Sequence, residues 1–439
     1  MIKKILLSLF FIGAYLLAQT NIELISNLDE HHSSGYNDIW GYVDEMGNEY
    51  ALLGVRNGTS IIDLSDPANP VEVAFIPGTN SIWRDIKTHG QYAYVVSDNT
   101  NDGLQIIDLS QLPNTATLVN QTTAFFESSH NIFIDNGFLY VVGTEGGGGM
   151  HILDLSDPIN PTETAYYTVS GYIHDLYVWD DTVVACAGDS YDLVDVSNKN
   201  NPQLISVSSL IPGIYAHSGW MTEDKRYFIA AEESNVRDLI VYDLQDRSTW
   251  DVVVPSWQMS GNSLIHNIFV LGNYAHISYY KDGYVVLDIS DPTDPKFAGQ
   301  YDTFPGSGGN FDGAWGCYPY LPSGHVIISD ISTGLYVLKF DMPTAVVDEE
   351  LPISFSLNQN YPNPFNPATQ IRYSIANSEF VNLSIFNSLG EKVAELVNQS
   401  KPAGEYTVTF DAGIFSSGVY IARLTAGSFV KIIKMSLLK

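Results

Sequence analysis

Four histidines, His130, His174, His217 and His266, each stand at the head of a short apolar stretch of this 439-residue chain. Aligned with three similar stretches, they form a column that reads Asn37, Arg84, His130, His174, His217, His266 and Asp312. The next column reads Asp38, Asp85, Asn131, Asp175, Ser218, Asn267 and Gly313. If the stretches are strands around one channel, these imidazoles converge with the carboxylates of Asp38, Asp85, Asp175 and Asp312. Imidazole and carboxylate together suit Zn²⁺ or another transition metal, and the same groups serve acid–base chemistry. The four histidines are therefore the candidate metal ligands, and with the four aspartates they are the candidate ligand-binding set. No residue is assigned a catalytic role. The competing reading is packing: repeats copy residues, and imidazoles can hydrogen-bond neighbouring units or channel water.

Other stretches carry less chemistry. Asp98-Asn99-Thr100-Asn101-Asp102-Gly103 has the alternating oxygens and glycine of a Ca²⁺ loop, but Leu109 stands where its closing acidic ligand belongs. It reads better as an Asn/Asp/Gly hairpin loop. Gly146 to Gly149 lacks the Gly-Lys-Ser/Thr ending of a phosphate loop. Ca²⁺ or Zn²⁺ is thus the only cofactor chemistry suggested. Cys186 and Cys317 fall in different units and are expected as two separate buried thiols.

The elements that must position these residues come from a repeat. An apolar run, then Asp, an aliphatic residue and often Ser-Asp-Pro, recurs along the chain. It reads Ile61-Ile62-Asp63-Leu64-Ser65-Asp66-Pro67 and Ile152-Leu153-Asp154-Leu155-Ser156-Asp157-Pro158 at its clearest. The aspartates at 63, 108, 154, 195, 243 and 288 are 45, 46, 41, 48 and 45 residues apart. That period fits a four-stranded propeller blade. Second strands begin near Tyr50, Tyr92, Phe138, Thr182, Tyr227, Tyr274 and His325, which predicts seven units. The seventh lacks a fourth strand after Asp341, and Ile22 to Ser26 near the N-terminus looks like one. The sequence therefore predicts an all-β protein whose N-terminal strand closes a seven-bladed β-propeller over residues 19–342.

The apolar-Asp strand resembles the LVIVD repeat, and the whole chain resembles the choice-of-anchor B family, whose members differ in C-terminal anchoring. The resemblance implies a propeller and carries no activity.

After Asp341 the repeat stops. A short acidic linker, 343–352, precedes Tyr361-Pro362-Asn363-Pro364-Phe365-Asn366-Pro367, then Leu389-Gly390, Ser417-Gly418-Val419-Tyr420, and a basic end with Lys431, Lys434 and Lys439. Strands separated by Gly, Asn and Pro turns predict a small β-sandwich over 353–439. These landmarks resemble the type A C-terminal sorting domain of type IX secretion. The resemblance implies passage across the outer membrane of a Bacteroidetes-type bacterium by the type IX machinery. It also implies removal of the domain, with the product attached to lipopolysaccharide or released.

Bulk features agree with export. Lys3 and Lys4, the apolar run Ile5 to Leu17 and Ala18 form a signal peptide over 1–18. Residues 19–350 hold 11 Lys+Arg against 45 Asp+Glu. Such a domain is repelled by nucleic acid and anionic membranes. The expected protein is an extracellular or surface-exposed propeller that binds or displays, with a protein or glycan as partner. Trp40, Trp83, Trp220 and Trp315 lie close to the channel column as rim aromatics, unless they pack between blades. The alternatives are a metal-binding or metal-dependent enzyme that uses the histidine column, and a surface-layer component that binds cations through its acidic face.

Overall fold

The computed structural model describes residues 21–209, 213, 215–234, 238–259, 263–304, 306, 311–341, 355–376, 379–401, 404–427 and 429–439. The signal-peptide segment and the 343–352 linker lie outside the described residues. Two compact units meet at Asp341/Met342. Among the described residues every regular element is a strand.

Among the described residues of the first unit, seven antiparallel four-stranded sheets are present, and we number them in chain order. Their innermost strands are Tyr36–Val43, Arg84–His89, Asn131–Asp135, Asp175–Trp179, Ala216–Met221, Ile268–Leu271 and Ala314–Tyr318. Each packs against the innermost strand of the next sheet, and the seventh packs against the first. The sheets are the blades of a β-propeller. In the seventh sheet the outermost strand is Ile22–Leu28, which pairs antiparallel with Gly334–Phe340.

Alternation along each strand explains the closure. In Tyr92–Ser97, Ala93 and Val95 enter an apolar cluster shared with the first sheet. Tyr94 and Val96 enter another, shared with the third. Successive side chains point to opposite faces, so both faces of a middle strand are buried against different neighbours. This is why second and third strands read as unbroken apolar runs, whereas outer strands such as Thr162–Tyr167 are polar and largely exposed. Seven such clusters follow one another around the first unit.

The repeat aspartate ends the third strand. Asp63, Asp108, Asp154, Asp195, Asp243 and Asp288 each accept, through Oδ1, the backbone N–H two residues on, at 2.7–2.9 Å. This side-chain turn redirects the chain. The aliphatic residue between is buried: Leu64, Leu109, Leu155, Val196, Leu244 and Ile289 are all under 5% exposed. Asn136 and Gly137, both at positive φ, form the two-residue hairpin turn between paired Asp135 and Phe138.

The second unit is a small sandwich. One sheet holds Ser356–Leu357, Ala368–Ile375 and Gly404–Asp411; the other orders Lys392–Lys401, Glu379–Phe386, Gly418–Ala426 and Phe429–Leu437. Leu383, Ile385, Ala422, Leu424, Met435 and Phe410 fill the space between them.

Candidate functional site: the channel and its aromatic mouth

The predicted histidine column lies at the N-terminal ends of the innermost strands. Its four imidazoles form an arc, with ring centroids 4.2 Å apart for His130–His174, 4.4 Å for His174–His217 and 4.7 Å for His217–His266. With Arg84, Asp38, Asp85 and Asp175 they line one narrow cavity of about 20 Å³. Asp312 is not among the lining residues. The seventh position is taken by Trp315, whose carbonyl oxygen stands to His266 as that of His266 stands to His217. The alignment is three residues out in this unit, because the register there follows the pairing of Gly316 with Ser329.

The hydrogen bonds assign tautomers. His217 Nδ1 lies 3.0 Å from the His266 carbonyl, and His266 Nδ1 lies 2.6 Å from the Trp315 carbonyl. A carbonyl can only accept, so both Nδ1 atoms carry the proton and both Nε2 atoms keep a lone pair. Burial, reinforced by neighbouring imidazoles, depresses both rings to about 3 and holds His174 well below the ordinary range. They are neutral imidazoles. His130 differs: its Nδ1 faces Asp98 Oδ2 at 3.1 Å.

Glu233 joins this group. It follows the strand Tyr227–Glu232, and its Oε2 is 3.9 Å from His217 Nε2. The Tyr280 hydroxyl donates to its other oxygen at 2.6 Å. One ligand atom from each of His217, Glu233 and His266 lies within 4.8 Å of the others. Glu233 is absent from the first-strand columns because it directly follows a second strand, the position that Asp98 takes in the second sheet. The acidic pair Glu232-Glu233, ending an apolar strand, is the only sequence signal for it.

One residue deeper lies a carboxylate layer. Lys87 Nζ is 2.5 Å from Asp85 and 3.7 Å from Asp38, all nearly buried. Asp85 Oδ2 also accepts the Ile132 N–H at 2.7 Å. Asp175 is pushed up to about 7 by burial and the nearby Asp85 charge. Lys87 was not evident from the columns. It stands two residues beyond Asp85, where the other units carry Trp40, Phe133, Tyr177, Trp220, Phe269 and Tyr318. Those rings form an aromatic floor, with Tyr177–Trp220 at 4.5 Å, Trp40–Tyr318 at 4.8 Å and Trp220–Phe269 at 5.0 Å. Lys87 sits 4.5 Å over the Trp40 ring. Trp40 and Trp220 thus pack inside the ring.

Trp83 and Trp315 border the histidine cavity and a second space as well. With Tyr36, Ile82, Tyr280, Phe311 and Ile331 they line a pocket of about 420 Å³, whose charged lining residues are Arg56 and Glu233. The pocket opens above the histidine arc, and Ile82 and Phe311 are 43% and 55% exposed.

In the Asp98–Gly103 loop the oxygens serve protein donors. Asp98 accepts from Asn99 N–H and Ser128 Oγ, and Asp102 from the Thr79 N–H and hydroxyl. Cys186 and Cys317 are buried, unpaired and in different sheets.

In the second unit, Phe365 is buried while Tyr361 is 81% exposed. Phe365 N–H donates to the Ser436 carbonyl, and Asn363 Oδ1 accepts the Ser436 N–H, so the Pro362–Pro367 run is laced to the last strand. Gly390 takes positive φ in a turn held by Asn387. Tyr420 hydroxyl donates to the Ser416 carbonyl. Lys431, Lys434 and Lys439 are exposed, as is Gly418.

Comparison with known proteins agrees with this architecture. The LVIVD repeat matches residues 46–75, 83–120, 128–169 and 265–303. The secretion system C-terminal sorting domain matches residues 359–437. No curated protein matches the chain. Among solved structures, the periplasmic gluconolactonase of Pseudomonas aeruginosa is 10% identical, with a TM-score of 0.52, over 85% of this chain and 99% of that one. A putative 6-phosphogluconolactonase of Bacteroides fragilis is 11% identical, with a TM-score of 0.50, over 85% and 98%. PorZ of Porphyromonas gingivalis, a surface component of type IX secretion, is 12% identical, with a TM-score of 0.47, over 92% of this chain; this chain spans 60% of its length. At such identities the likeness establishes the fold alone. The chain carries LVIVD repeats folded as a β-propeller, followed by a sorting domain that engages type IX secretion and directs it to the cell surface or the extracellular space.

Proposed function

We propose that this protein is an exported binding module whose seven-bladed propeller captures a neutral glycan at the aromatic mouth of its channel. The observation that carries this reading is the pocket of about 420 Å³ lined by Trp83, Trp315, Tyr280 and Phe311 with Arg56 and Glu233. Ligand sites combine an apolar, largely aromatic wall with a few convergent polar groups. Ring faces suit the apolar face of a sugar, and Arg56 and Glu233 supply one donor and one acceptor for hydroxyls. The excess of acidic residues over 19–350 disfavours anionic ligands.

In this reading residues 1–18 are a cleaved leader, 19–342 the propeller, 343–352 a linker, and 353–439 a sorting domain removed after transit. The product is attached to lipopolysaccharide or released. This organisation fits the choice-of-anchor B family, in which one propeller is combined with different anchors.

The test is a glycan-array screen with the full chain, followed by titration of any hit using tryptophan fluorescence from Trp83 and Trp315. Phe311→Ala and Ile82→Glu are expected to weaken binding at least ~10-fold, since both side chains are exposed pocket walls whose loss leaves the core intact. Binding unchanged in both variants would overturn the assignment of the pocket.

A further inference from the structure

We propose that His217, Glu233 and His266 form a binding site for one divalent transition-metal ion, with Zn²⁺ as the reference ion, at the base of the aromatic pocket. The site goes beyond the glycan reading and does not depend on it.

Three independent features converge. The donor set is two imidazoles and a carboxylate, which suits Zn²⁺ and its first-row neighbours and leaves a coordination position open. The ligand atoms are already grouped within 4.8 Å of one another, with His217 Nε2 and Glu233 Oε2 3.9 Å apart. Bonds of about 2.0–2.2 Å require donor separations of roughly 3.3 Å in a tetrahedral site. Closing the His217–Glu233 pair by about 0.6 Å, and a pair at the 4.8 Å limit by about 1.5 Å, would seat the ion, a movement within reach of side-chain torsions.

The second feature is the outer shell. Each ring donates Nδ1–H to a backbone carbonyl, His217 to His266 and His266 to Trp315. This arrangement fixes the tautomer that presents Nε2 as ligand. Glu233 is held in the same way, because the Tyr280 hydroxyl donates to one oxygen and leaves the other facing His217. A packing role for the histidines needs the carbonyl contacts but not an oriented carboxylate facing the lone pairs.

The third feature is access. His217 and His266 are 2% and 5% exposed, but Glu233 also lines the 420 Å³ pocket. An ion can therefore enter from the mouth, and its open position faces the same space. His130 and His174, next along the arc, fall outside the group of three. The site is thus narrower than the four-histidine set expected from the columns, and it contains a carboxylate which that set lacked.

The experiment uses the full chain stripped with chelator and dialysed. Zn²⁺ is titrated calorimetrically, and Co²⁺ is added as a spectroscopic probe. The expected result is one equivalent bound, a Co²⁺ visible spectrum of nitrogen–oxygen coordination, and a metal-dependent rise in melting temperature. Glu233→Gln keeps the size and an acceptor for Tyr280, so it should fold normally yet weaken Zn²⁺ at least ~100-fold. His217→Gln should do the same, while His130→Gln should bind as the parent does. Absence of stoichiometric binding would overturn the proposal. So would Zn²⁺ bound equally well by Glu233→Gln, which would identify dispersed acidic surface sites. Loss of binding in His130→Gln alone would place the ion elsewhere on the arc and would also refute this site. Glycan capture can survive each of these outcomes, so the two readings fail separately.

Discussion

At the scale of single residues, the channel brings together groups that water would keep apart in charge state. Asp175 on the fourth innermost strand is half-buried in the channel wall, and desolvation with the Asp85 charge raises it to about 7. The folded chain then holds a proton that the unfolded chain, near 3.8, has lost. Its contribution to stability is complete below about pH 4 and disappears as pH rises through 7. Asp175→Asn removes this titration. It is expected to stabilise by ~1–3 kcal/mol at pH 8 and by almost nothing at pH 4, within the ceiling set by about 1.4 kcal/mol per pK unit. Urea unfolding midpoints at the two values check this; an equal change at both would refute it. His276 works in the opposite sense. Buried with its Nδ1 2.5 Å from the Tyr284 hydroxyl, it is depressed to about 3, so stability is lost as pH falls from 6.5 towards 3. The two residues define a pH window for stability near neutrality or slightly below.

At the scale of the element, the repeat aspartate is a turn device rather than a ligand. Asp154 Oδ1 accepts the Ser156 N–H at 2.7 Å, and Leu155 is locked beneath it. Asp154→Ala is expected to cost ~1 kcal/mol by removing that bond, whereas Asp154→Asn should keep most of it. The melting temperatures of the two variants decide the matter, and equal losses would count against the turn role. The aspartate was legible because Asp-aliphatic-Ser recurs where an apolar run stops. The closing strand Ile22–Leu28 was also visible as a sequence looking for a partner. Its actual partner, Gly334–Phe340, lies about 310 residues away in the chain and covers an edge that would otherwise be open to aggregation.

At the scale of the whole molecule, a segment 19–350 bearing 45 acidic residues against 11 basic ones is followed by a tail with the opposite balance. The sorting domain is a folded sandwich, with Phe365 buried and the Pro362–Pro367 run laced to the final strand. Deleting residues 353–439 is expected to leave the propeller in the periplasm, reducing its surface or medium fraction at least ~10-fold. Fractionation and surface proteolysis measure this, and undiminished export would show that the tail is dispensable.

The sequence by itself determined the period, the strands, the turns and the export tail, because each is set by local physics. Apolar alternation buries a strand, Asp and Pro end it, and a sorting domain folds within one stretch of chain. Tertiary structure decided what else shares the channel with the histidines and aspartates of the columns. Trp315, not Asp312, completes the ring because the pairing of Gly316 with Ser329 sets the register of the last inner strand. Lys87 reaches from the second blade to Asp38 on the first. Glu233 meets His217 and His266 although it belongs to a different strand class. Ring closure converts residues nearly 50 positions apart into neighbours, and no local pattern encodes that distance.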